Sequence, residues 1–137
     1  MIKAACLSAV ACFLATAAMS ETKAPLPFDV GGAYALTDQS GNPRTQADPD
    51  GKHQLLFFGY ATCQQICSAA LPLMAEVADA LDSDGIGLTP LMITIDPERD
   101  TVEAIGPALA LHHPDFIGLT GAEDKLQVAY DAFSVER

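Results

Sequence analysis

Positive charge is scarce in this chain. Its 137 residues hold 7 lysines and arginines against 18 aspartates and glutamates, a formal net charge of −11. That balance excludes a surface that tracks nucleic-acid phosphates, which needs clustered cations. It suits solubility and leaves room for a cationic partner or a metal ion. Cysteine is scarce too. There are four, and Cys6 and Cys12 fall in the first twenty residues. An exported chain left with one close pair, Cys63 and Cys67, is not a small disulfide scaffold. So short a loop also gains little from closure, because the entropy removed grows with loop length. No internal repeat and no second linker follow Phe28, so one domain is expected.

What the chain does have is an apolar start. Met1-Ile2-Lys3 is a basic tip, Ala4 to Met19 is apolar apart from Ser8 and Thr16, and small residues cluster at Ala17, Ala18 and Ser20. That order predicts a secretory signal over residues 1–20, cut after Ala18 or Ser20. The rival reading is an uncleaved anchor, since about 17 apolar residues is the lower limit for spanning a bilayer. Removing residues 1–20 takes away Lys3 and no acid, leaving 6 basic and 18 acidic residues and a net charge of −12. Residues 21–27, "ETKAPLP", read as a linker, and 28–137 as the domain.

Within the domain, Ala33 to Thr37 is predicted as a short strand, followed by the turn clusters "DQSGNP" and "DPDG". Gln54 to Tyr60 is a continuous apolar run, as in strands buried on both faces of a parallel sheet. A helix over Ile66 to Leu81 follows, with Leu71, Met74, Val77, Ala78 and Leu81 on one face and Pro72 near its start. Leu88 to Ile95 is a second buried strand. Asp100 reads as an N-cap with Glu103 three residues on, for a helix broken and restarted at Gly106-Pro107. Phe116 to Leu119 is a third strand. Thr120 to Glu123 reads as a capping box opening a helix to about Phe133. A hairpin followed by β-α-β-α-β-α predicts an α/β fold with a mainly parallel sheet.

In that order, Cys63 and Cys67 lie between the first buried strand and its helix, at the sheet edge where active sites form. Unpaired amides and the positive end of the helix dipole favour thiolate there. Thiolate is both the nucleophile in disulfide exchange and the metal-binding form. The C-x-x-x-C spacing allows a disulfide, and it also lets both sulfurs face one soft ion such as Cu(I) or Zn(II). Asp96 ends the second buried strand and is placed near the pair, either as an auxiliary that takes a proton from Cys67 or orients a ligand, or as a turn residue with Pro97. Arg99 and Asp100 read as fixing that loop and capping the next helix. His112 and His113, before Pro114, read as an exposed helix end, and His53 as lying at the far end of its strand from Cys63. Phe57, Phe58 and Tyr60 read as core or sheet residues, Tyr60 also as a wall of the site.

Three blocks in order, "FFGYATC" leading into C-x-x-x-C, "TIDPERDT" and "FIGLTG", resemble the Sco/SenC family over about Phe28 to Val135. The resemblance implies a thioredoxin-like fold in an exported, often membrane-tethered protein. It implies copper held by the two cysteines and a distal histidine. It also implies delivery of copper to, or maintenance of, the dinuclear copper site of cytochrome c oxidase, with that oxidase's copper-site subunit or another copper chaperone as partner. The location implied is periplasmic or otherwise extracytoplasmic, with the N-terminal segment as signal or inner-membrane anchor. Two departures stand out. The family's prolines after the cysteines are here Gln64 and Ser68. The family's distal histidine follows the last helix, on a hairpin beyond Arg137. The expectation is therefore an incomplete domain without that C-terminal hairpin and final helix. Three readings follow: a metallochaperone rather than an enzyme, a thiol–disulfide oxidoreductase using Cys63 and Cys67, and a truncated chain without function, whose uncovered sheet edge prevents stable folding.

Overall fold

A computed structural model of the chain describes residues 29–62 and 67–137, the side chains of Cys67 and Ser68 excepted. The predicted leader (1–20), the linker (21–27) and Cys63 lie outside the described residues. The elements are β1 (Ala35–Asp38), β2 (Pro43–Thr45), β3 (His53–Gly59), α1 (Cys67–Ser83), β4 (Leu88–Thr94), α2 (Val102–Ala110), β5 (Ile117–Thr120) and α3 (Glu123–Ala132). They form one five-stranded mixed sheet in the order β2-β1-β5-β4-β3. β3, β4 and β5 are parallel, and β1 runs antiparallel to both β2 and β5.

Side chains alternate between the two faces of a strand, and the core divides accordingly. Met92 belongs to a cluster with Leu71, Met74 and Ala75 of α1 and Ile105 and Leu109 of α2. Its neighbour Ile93 belongs to a cluster with Leu36, Leu119 and, from α3, Leu126, Ala129 and Tyr130. Leu55 and Phe57 of β3 pack toward the first cluster, Leu56 and Phe58 toward the second. The architecture is three layers: α1 and α2, the sheet, then α3.

The β1–β2 turn follows from Asp38. Its carboxylate accepts the Ser40 and Asn42 N–H groups, both at 2.9 Å, and Gly41 takes the positive φ of 80° that a Cβ would oppose. Gln39 then binds the start of β5 at both ends of its amide: Nε2 donates to the Phe116 carbonyl at 3.0 Å, and Oε1 accepts the Gly118 N–H at 2.8 Å.

Several expectations are corrected. β3 is covered on both faces, but among the described residues it is the last strand of the sheet and pairs with β4 alone, so Leu55 to Phe58 are half-buried rather than buried. Pro72 stands at the sixth position of α1, inside the helix rather than in its first turn, and Val77 is exposed while Ala75 is buried. α2 runs unbroken through Gly106-Pro107. Its Ile105 and Leu109 are fully buried, contributing about 1.5–3 kcal/mol each. Together they offset the cost of roughly 3 kcal/mol for an interior proline. The N-cap of α2 is Thr101, not Asp100. The N-cap of α3 is Ala122 without a side-chain bond, because Thr120 is a buried strand residue paired with Thr37. Glu123 and Asp124 still stand in that helix's first turn, where carboxylates suit the dipole.

Candidate metal centre

The carboxyl ends of the three parallel strands meet at one edge of the sheet. β3 leaves it through Tyr60, Ala61 and Thr62, and the chain returns at Cys67, the first residue of α1. The backbone of Cys67 is thus at a helix N-terminus, as expected. Cys63, between them in sequence, lies outside the described residues.

At the neighbouring strand, the Ile95 N–H donates to the Gly59 carbonyl at 2.8 Å. The β3–β4 pairing therefore extends past Thr94 and brings Asp96 to the exit of β3. The Asp96 carboxylate is held by Arg99, whose Nε donates to Oδ2 at 2.5 Å and whose second guanidinium nitrogen also pairs with it. The same guanidinium lies over the Tyr60 ring, 5.3 Å from its centroid. Asp96, Arg99 and Tyr60 so form one small group at the exit of β3. The hydrogen bond from Arg99 holds the Asp96 carboxyl below the usual carboxylate range, and Asp96 in turn raises Arg99. A carboxylate so paired is a fixed negative charge and a weak proton acceptor.

Asp100 lies one turn further on and is 1% exposed. Its Oδ2 accepts the Ala61 N–H at 2.9 Å and the Thr94 hydroxyl at 2.7 Å. Thr94 Oγ1 accepts the Asp96 N–H at 2.9 Å, and the Thr94 carbonyl accepts the Tyr130 hydroxyl of α3 at 2.7 Å. The sequence places Asp100 in this loop but not against the backbone that follows β3. Its reach to Ala61, 39 positions away, has no local signature.

Behind Asp96 opens a cleft of about 600 Å³, lined by Ile95, Pro97, Glu98, Gly121, Glu123 and Arg137. Arg137 pairs with Glu123 and covers the Tyr130 ring at 5.0 Å.

The histidines are elsewhere. His53 opens β3, and His112 and His113 precede β5, so all three stand at the amino ends of the parallel strands. His113 is not exposed as expected, because the loop after α2 folds back on α1. Its Nδ1 accepts the Asp115 N–H at 3.2 Å, which leaves Nε2 to donate to Asp79 at 3.1 Å. Among the described residues no three His, Cys, Asp or Glu side chains converge as a metal site. Two thiolates at the turn would be a soft donor set, and soft donors select Cu(I) or Zn(II).

A mixed sheet with three parallel strands layered between helices, with Cys67 opening the helix that follows β3, defines a thioredoxin-like domain. The thioredoxin domain of a thiol–disulfide oxidoreductase from Bacteroides vulgatus superposes with a TM-score of 0.61 at 19% identity, covering 79% of this chain and 73% of that one. The family is narrower: the SCO1/SenC model matches residues 22–137, and the chain belongs to that family. A SCO2-like protein of Rickettsia conorii is 39% identical over 106 residues, covering 77% of this chain and 52% of that protein. Yeast Sco1, solved with copper bound, superposes with a TM-score of 0.72 at 34% identity, covering 78% of this chain and 68% of that one. A further neighbour, BsSco, is described as carrying a disulfide switch and as a member of the Sco family of cytochrome c oxidase assembly proteins. It has a TM-score of 0.63 at 20% identity, over 79% of this chain and 64% of that one. The chain spans about half the length of the Rickettsia relative.

Proposed function

We propose that the chain is an extracytoplasmic copper-binding assembly factor. Cys63 and Cys67 take Cu(I) as cargo and pass it to the dinuclear copper site of cytochrome c oxidase, or to another copper chaperone. The observation that carries this reading is the place of Cys67, the first residue of α1 after the exit of β3. The dipole favours thiolate at a helix N-terminus, and the family has a copper-bound member. Asp96, Glu98 and Glu123, set against Arg99 and Arg137, leave the surrounding edge with one net negative charge, which favours a cation approaching it. With His53, His112 and His113 at the other edge, two sulfurs hold Cu(I), and a further group from solvent or a partner completes its coordination. A site of two sulfurs favours Cu(I) over Cu(II), which prefers nitrogen. Residues 1–20 direct export, by cleavage or as an inner-membrane anchor.

Anaerobic titration of the reduced chain tests this. One Cu(I) should bind per chain, with little Cu(II), and binding should vanish in the Cys63→Ser, Cys67→Ser double variant. Failure to bind, or survival of binding in the double variant, refutes it.

The thioredoxin-like fold supports a second reading, a thiol–disulfide exchange in which a Cys63 thiolate attacks a partner disulfide and Cys67 resolves the mixed disulfide. That cycle returns two electrons to the partner and leaves Cys63–Cys67 oxidised. A Cys67→Ser chain then accumulates a partner-linked adduct, and its absence removes this reading.

A further inference from the structure

We draw no further inference here: the strongest candidate, the outer edge of β3 with its half-buried Leu55 to Phe58, has β4 as its one paired neighbour among the described residues, and nothing in the structure shows what covers it.

Discussion

Asp96 and Asp100 stand four residues apart and meet opposite environments. Asp96 is met by Arg99 and stays at the surface of the site, and Asp100 is sealed beneath it with neutral donors. Sequence alone reads Asp96 as an auxiliary to the cysteines or a turn residue and Asp100 as a loop residue and cap, because the groups that meet Asp100 come from the ends of β3 and β4. Tyr130 is a similar case. Its ring sits in the apolar cluster above α3, and burial raises its hydroxyl above the ordinary value of 10.0. The folded state therefore binds this proton more tightly than the unfolded chain does. The resulting stability is fully present below about pH 10 and is lost as pH climbs through the raised folded value. Tyr34, raised by the same cause, acts in the same direction. Tyr130→Phe should cost about 1 kcal/mol at pH 7 through its lost bond to the Thr94 carbonyl. It should also flatten the alkaline limb of the stability curve. Denaturant melts between pH 7 and 11 check both, and an unchanged alkaline limb would show that Tyr130 does not titrate on unfolding.

The elements were legible in order and type from apolar runs and turn clusters, because periodicity and Gly/Asn/Asp chemistry are local. Their ends and neighbours were not. "LLFF" reads correctly as a strand covered on both faces, but an apolar run carries no information about whether a second strand lies beside it, and among the described residues β3 has β4 alone. Gly106-Pro107 reads as a break, since the burial of Ile105 and Leu109 that holds α2 together is supplied by β5. Gly118 shows why β5 accepts α2 so closely. A Cβ there would meet Ile105 Cγ1 at 2.6 Å and Leu109 Cδ1 at 2.8 Å. Gly118→Ala should thus push α2 off the sheet and destabilise the chain by about 1–3 kcal/mol. Thermal melting reads the loss. Pairing Gly118→Ala with Ile105→Val, which shortens the opposing side chain, should recover part of it.

At the scale of the whole molecule, two apolar clusters share one sheet, and β4 contributes to both through Met92 and Ile93. Neither face can lose its cover without exposing the other's strands, so one cooperative transition is expected. With no tryptophan and three tyrosines, two of them in the α3-side cluster, tyrosine fluorescence follows that cluster and far-ultraviolet circular dichroism follows the backbone. The two melting curves should coincide, and separate midpoints would mean that the layers unfold independently. The acidic balance, the cysteine spacing, the three ordered blocks and the alternation of strands and helices were determined by the sequence alone, because each is a property of composition or of neighbours along the chain. Only the tertiary structure decided that β3 pairs with β4 alone among the described residues, that His112 and His113 stand at the opposite end of the parallel strands from Cys67, and that Asp100 accepts the Ala61 N–H. Each of those depends on which distant segments the sheet order brings together, and local residue patterns do not encode that order.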